Sequence, residues 1–166
     1  PYSAAKQQSM ILVDLYRKIY KIKACTGILF NHESKLRNEN FVTQKIIKGA
    51  LACKENRSLK LTLGNLSVCR DWGYAEEYVE AMKIINNSKE IKDYVICTGK
   101  LTKLEYFTKK TFELLGMNWR DHVEIDSALF RPSDIDKSYG DTLPLFNDLG
   151  WKANKGIDEI IEILLN

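Results

Sequence analysis

The sequence predicts an α/β fold on three observations: apolar residues recur at helical spacing in five stretches, short apolar runs of strand length fall between them, and the two types alternate. That alternation is the order in which crossover connections build a parallel sheet, although the strands are few and short for a complete one. From Ser3 to Tyr20, Ile11, Leu12, Leu15, Tyr16 and Ile19 form one helical stripe. Ala24 to Phe30 reads as a buried strand, and the polar run from Asn31 to Asn40 as a loop. Phe41 to Cys53 returns to helix, with Val42, Ile46, Ala50 and Cys53 on one face, and Ser58 to Leu63 alternates as a strand. Gly64-Asn65 is a turn, after which Ala75 to Ile85 predicts a helix carrying Tyr78, Val79, Met82 and Ile85 inward. Tyr94 to Cys97 is a strand, and Lys103 to Leu115 a helix with Leu104, Phe107 and Leu114 inward, stopped by Gly116. Val123 to Ile125 reads as a short edge strand. Asp126 to Leu143 is a long irregular stretch of the kind that carries function, and Gly156 to Leu165 is the last helix.

A chain of 166 residues, 45% hydrophobic and 28% charged, has the make-up of a soluble globular protein. At that length it buries roughly 70% of its unfolded surface. The net charge of +3 is too mild to point to nucleic acid or a membrane surface. Apolar runs such as Ile28–Phe30 fall far short of the roughly 20 residues that a membrane span requires. Cys25, Cys53, Cys69 and Cys97 are widely spaced, with no paired spacing and no adjacent His to complete a zinc site. They read as small buried hydrophobes in a reducing compartment, which places the protein in the cytoplasm. The chain opens on Pro1-Tyr2-Ser3 with no initiator Met, and is expected to be a piece of something longer.

Two residues at that opening carry the first chemical signal. Tyr2 and Lys6 stand at i and i+4, which on a helix puts a phenol beside an ammonium, with the small Ser3, Ala4 and Ala5 between them. A neighbouring cation favours the phenolate and makes the phenol usable as a general base. Arg70-Asp71-Trp72-Gly73-Tyr74 is the next dense cluster, where Arg70 and Asp71 are open to reading as a surface ion pair and Trp72 as packing.

A YxxxK pattern that opens a helix and is followed by a strand resembles the catalytic pattern of short-chain dehydrogenases/reductases. Four further groups narrow the likeness: Gly27-Ile28-Leu29-Phe30-Asn31-His32-Glu33-Ser34, then Asn40 to Ile46, then Leu63 to Leu66 with Arg70 to Ala75, then Phe130-Arg131-Pro132 with Gly140-Asp141 and Leu149 to Lys152. They stand in the order found in GDP-mannose 4,6-dehydratases, and the resemblance covers nearly the whole chain. It implies the C-terminal part of an extended short-chain dehydrogenase (Rossmann-like) fold with a smaller mixed α/β substrate domain. Residues 1–30 would end the NADP-binding domain. Residues 31–166 would mainly form the GDP-sugar domain, with some segments returning to the first.

The resemblance also implies roles. Tyr2 would be the acid/base at the sugar C4 hydroxyl, and Lys6 its partner and a contact to the nicotinamide ribose. His32 and Arg37 match positions that contact NADP, and an Arg fork suits a phosphate. Asn31, Lys45, Arg70, Arg131 and Asp134 match positions that hold GDP-mannose, the separated cations answering its diphosphate. A homodimer or homotetramer is implied as well.

The chain departs from the family in three places. Lys35-Leu36-Arg37-Asn38-Glu39 stands where the family has Pro-Arg-Arg-Gly-Glu, Asp134 replaces a Glu, and Tyr74 stands where His is commoner. The family's glycine-rich pyrophosphate turn and its Thr and Glu catalytic partners precede the YxxxK tyrosine, and no GxGxxG occurs in these residues. The isolated 166-residue polypeptide is therefore expected to be inactive and to bind NADP weakly. Two other readings stand beside this one: another nucleotide-sugar dehydratase or epimerase of the extended short-chain family, and a non-catalytic nucleotide-sugar-binding module.

Overall fold

A computed structural model describes residues 1–131 and 133–166. In chain order the elements are α1 (Tyr2–Tyr20), β1 (Gly27–Leu29), β2 (Asn31–Glu33), α2 (Val42–Glu55) and β3 (Leu61–Leu63). There follow β4 (Cys69–Arg70), β5 (Trp72–Tyr74), α3 (Ala75–Asn86), β6 (Tyr94–Ile96), β7 (Thr102–Lys103) and α4 (Leu104–Leu114). The chain closes with β8 (Val123–Ile125), β9 (Lys137–Ser138), α5 (Leu143–Leu149) and α6 (Ile157–Leu165). Parallel pairs join β1 to β6, β2 to β5 and β3 to β8, while β4 lies between antiparallel β7 and parallel β9. Each parallel pair is bridged by at least one helix, which is the crossover arrangement the alternation predicts.

The helices form where the apolar spacing places them, but several faces turn differently. Lys21 ends α1 in the left-handed conformation at φ 54°. No residue of α1 is buried, and its stripe of Ile11, Leu12, Leu15, Tyr16 and Ile19 faces outward. β1 is likewise exposed rather than buried. On α3, Tyr78, Ala81 and Ile85 point inward while Val79 and Met82 point to solvent; Leu114 of α4 and Val42 of α2 are also exposed. Asn31 to Glu33, read as loop, is a strand, because its backbone pairs with Trp72 to Tyr74 although its side chains are polar. The stretch from Asp126 to Leu143 is less irregular than its sequence suggests. It holds a 3₁₀ turn at Ser127–Leu129 and strand β9, and leads into α5.

Two apolar clusters hold these elements. One gathers Ile46 and Ala50 of α2, Phe107 and Phe112 of α4, and Ile160 and Ile161 of α6, with Leu63 beneath them. The other gathers Tyr78 and Ile85 of α3, Tyr94 and Ile96 of β6, Leu145 of α5 and Trp151. Arg17 ties α1 to the segments that lead into β1 and β6, its Nε donating to the Ala24 carbonyl at 2.7 Å and its guanidinium pairing with Asp93, which also accepts the Thr26 amide at 2.6 Å.

Gly73 marks where β5 meets α3 most closely. A Cβ there would run into the ring of Tyr78, which is fully buried. Gly73→Ala is expected to cost ~1–3 kcal/mol by overpacking, read as a lower urea midpoint at unchanged slope. An unchanged midpoint would show that the Tyr78 ring has room to move.

Candidate active site

The parallel strands β1 and β6 run side by side, so their carboxyl ends deliver Phe30-Asn31 and Cys97-Thr98 to the same edge. In open α/β sheets that edge is where ligands bind. Gly140 crosses it closely enough that a Cβ would lie 2.8 Å from the Phe30 ring and 2.7 Å from Cys97 Sγ, so only glycine fits. Asp71, fully buried, ties the edge together. Thr98 donates to Asp71 Oδ1 from its amide at 2.9 Å and from its hydroxyl at 2.6 Å, and the Gly99 amide donates to Oδ2 at 2.7 Å. The Asp71 amide in turn donates to the Ser138 carbonyl at 3.0 Å, which seats the 134–141 segment. Cys97 contributes no nucleophile, since burial and the Asp71 charge push its thiol up to about 11.

The candidate residues stand in three groups. Asn31 and His32 lie half-buried on β2, directly across from Trp72 and Gly73. His32 Nδ1 sits 2.8 Å from the Phe30 carbonyl, which can only accept, so Nδ1 carries a hydrogen and donates it there. Arg37 is tied to the same segment: Nε lies 3.1 Å from Glu33 Oε2, one terminal nitrogen donates to the His32 carbonyl at 3.1 Å, and the guanidinium stacks 3.9 Å over the Phe41 ring. Lys45 stands on the exposed side of the first turns of α2.

Arg70, at the end of β4, and Asp134, on the segment that leads into β9, form the second group. They make a 2.7 Å ion pair, half-shielded from solvent, and Arg70 also donates to the carbonyls of Cys69 at 2.9 Å and Ile135 at 2.5 Å. Arg70 therefore pairs with Asp134 and not with Asp71, because alternation along the strand turns Asp71 inward. Arg131 is exposed and follows a segment seated on the end of β3, where the Asp126 amide donates to Leu63 at 2.9 Å and Leu129 packs over Gly64. Pro132 lies outside the described residues.

Tyr2 and Lys6 form the third group, on the solvent side of the first turns of α1, with Lys6 Nζ 5.5 Å from the Tyr2 ring centroid. Neither is joined to the crevice by a hydrogen bond or ion pair among the described residues. Their side-by-side placement is what the i, i+4 spacing predicts.

Two contributors escape sequence reasoning. Asp71 looks like half of a surface pair, and only the tertiary position of Thr98 and Gly99 reveals it as an internal acceptor. Glu33 lies in a polar run, yet it is almost completely buried and accepts the Thr43 hydroxyl at 2.6 Å. Burial pushes the Glu33 carboxyl above the usual range, an effect opposed by Thr43, Arg37 and His32.

Among the described residues no group of His, Cys, Asp and Glu is arranged to hold a metal ion, and no helix is long and apolar enough to cross a membrane.

Known proteins share both the fold and the sequence. The chain superposes on the structure of RMD from Pseudomonas aeruginosa complexed with NADPH with a TM-score of 0.88, at 18% identity over 99% of this chain and 55% of that one. It superposes on dTDP-glucose 4,6-dehydratase from Bacillus anthracis in complex with NAD with a TM-score of 0.83, at 17% identity over 98% of this chain and 51% of that one. At those identities the likeness establishes the fold, which is that of the extended short-chain dehydrogenases. In sequence the chain is 42% identical to GDP-mannose 4,6 dehydratase 2 of Arabidopsis thaliana, over all of this chain and 44% of the relative. It is 34% identical to the GDP-mannose 4,6 dehydratase of Homo sapiens, over all of this chain and 49% of the relative. The chain thus spans about half or less of the length of these curated relatives. The family model for GDP-mannose 4,6 dehydratase matches residues 1–164, so the chain belongs to that family.

Proposed function

We propose that the chain is the C-terminal part of a GDP-mannose 4,6-dehydratase, which converts GDP-D-mannose to GDP-4-keto-6-deoxy-D-mannose with NADP. The observation that carries the reading is the family match over residues 1–164, which takes in the Tyr2–Lys6 pair and every other candidate residue. The residues fit a dinucleotide: an exposed phenol and ammonium on one helical face, and a histidine whose Nε2 makes no hydrogen bond among the described residues. When bound, NADP supplies a hydride acceptor that becomes the donor once the sugar is dehydrated.

Tyr2 would take the proton of the C4 hydroxyl as C4 is oxidised, and Lys6 would stabilise the phenolate and hold the nicotinamide ribose. Water is then eliminated across C5 and C6, with the C5 proton taken by a base outside this chain. C5 would then regain a proton as C6 is reduced to the methyl level. Arg70 and Arg131 meet the diphosphate, Lys45 adds charge, Asp134 accepts from sugar or nucleoside donors, and Asn31 accepts from or donates to their hydroxyls. His32 and Arg37 face the cofactor; the guanidinium nitrogen of Arg37 not engaged by Glu33 or His32 is the one free to reach it.

Residues 1–30 would close the cofactor-binding domain and residues 31–166 would mainly form the substrate domain. The outward apolar stripe of α1 supports this division, because an apolar helix face of this kind is one that a further domain would cover. A homodimer or homotetramer in the cytoplasm, with no nucleic-acid partner, completes the reading; the free thiols accord with that compartment.

The test is incubation of the full-length protein with GDP-mannose and NADP, beside UDP-glucose and dTDP-glucose. The 4-keto-6-deoxy product from GDP-mannose supports the proposal, and turnover only of another nucleotide sugar overturns it. Arg131→Ala is expected to raise the KM for GDP-mannose roughly 10-fold with kcat little changed, since a charge-assisted contact to the diphosphate is lost from binding. An unchanged KM would remove Arg131 from the substrate site.

A further inference from the structure

One buried charge links most of the candidate residues on the segment from Asn31 to Lys45. Glu33 is 1% exposed and lies at the end of β2, with Asn31 and His32 immediately before it on the strand. Its carboxylate reaches in two directions. Thr43, buried in the first turn of α2, donates its hydroxyl at 2.6 Å, and Arg37 on the intervening loop approaches the same oxygen, Oε2, with Nε at 3.1 Å. Gln44 reinforces the junction by donating to the Ser34 carbonyl at 2.9 Å. Arg37 completes the ring by donating back to the His32 carbonyl at 3.1 Å and stacking on Phe41, the residue that precedes α2.

The loop between strand and helix is therefore closed on itself from inside. Its inner residues are fixed, while at its tip Leu36 is 96% exposed. A buried carboxylate needs such partners, because an unpaired charge in this position would be too costly to retain.

We infer that Glu33 is a positioning residue of the active site, a buried clamp that sets Arg37, the His32 backbone and the start of α2 carrying Lys45 in one fixed relation. It touches neither sugar nor cofactor and acts through Arg37 and Thr43. The inference rests on the proposed function for the identity of the ligands, but the clamp itself is a property of this chain.

The experiment compares wild type, Glu33→Gln, Arg37→Met and the double variant in the full-length protein. Glu33→Gln keeps an oxygen for Thr43 and removes the charge that holds Arg37. It is expected to raise the KM for NADP and for GDP-mannose roughly 10-fold each while kcat falls less than about threefold. Adding Glu33→Gln to Arg37→Met is expected to change the KM for NADP by less than about twofold, because the two residues act as one unit. Amide hydrogen exchange in residues 34–41 is expected to quicken about 10-fold or more in Glu33→Gln at unchanged exchange in α4 and α6. Independent, multiplying KM effects or unchanged loop exchange would overturn the inference. If Glu33→Gln does not fold, Thr43→Val tests the other arm of the clamp by the same readouts. If wild type does not turn over GDP-mannose, the proposed function fails by that result alone, and the exchange of residues 34–41 still decides whether Glu33 holds the loop.

Discussion

Tyr2→Phe is expected to lower turnover of GDP-mannose by about 10²–10⁴-fold, the usual contribution of a positioned acid/base, while leaving the fold as it is. The side chain is 75% exposed and makes no hydrogen bond among the described residues, so loss of its hydroxyl removes nothing from the packing. Stability should stay within ~0.5 kcal/mol of wild type. Binding of GDP-mannose should also persist, because the residues assigned to the diphosphate lie on β4 and on the segment after β8, far along the chain from α1. The expected pattern is thus a collapse of kcat with KM within about threefold, the mark of a group that acts in the transition state. Normal rates in Tyr2→Phe would mean that another group removes the C4 hydroxyl proton.

Asp71→Asn is expected to give the largest loss of stability, about 2–4 kcal/mol. Both carboxylate oxygens accept: Oδ1 takes the amide and hydroxyl of Thr98, and Oδ2 takes the amide of Gly99. Asparagine offers one acceptor and turns the other position into a donor, which would face an N–H. At least one amide of the Thr98-Gly99 turn then faces a donor whichever way the side chain is placed. For a chain of this size the cost corresponds to a fall in Tm on the order of 10 °C. Asp71→Ala should be no milder, since it leaves all three donors without an acceptor. A Tm within 2–3 °C of wild type, about 1 kcal/mol or less, would show that the Thr98-Gly99 turn does not depend on Asp71.

The difference between these residues explains what the sequence could tell. The pairing of Tyr2 with Lys6 is legible because both sit on one helix, and helical periodicity alone fixes their relation. The helix cores are legible for the same reason, as with Ile160, Ile161 and Leu164 of α6, all buried at the expected spacing. What is lost is orientation against partners distant in sequence. Val79 and Met82 belong to the same apolar pattern as Tyr78 and Ile85, but the sheet lies only against the second pair. The two- and three-residue strands β2, β4, β5, β7 and β9 escape because their stability comes from pairing and not from composition. Asn31-His32-Glu33 is polar throughout, and only its register with Trp72-Gly73-Tyr74 makes it a strand. Arg70 and Asp134 are separately identified through the family resemblance, yet their ion pair across 64 residues could not be read from either segment. Asp71 and Glu33 are invisible for a related reason. A carboxylate in a polar stretch predicts a solvated surface, and burial is offset here only by donors that arrive from Thr98, Gly99, Thr43 and Arg37.

The central claim is that this chain serves an enzyme that oxidises C4 of GDP-mannose, removes water across C5 and C6, and returns the same hydride to C6. It is tested most directly by giving the full-length protein GDP-mannose deuterated at C4, with unlabelled NADP, and locating the label in the product by NMR. The account predicts a 4-keto-6-deoxy sugar that carries the deuterium on its C6 methyl group. Deuterium that returns to C4 of an intact hexose, or that stays with the released cofactor, would contradict it.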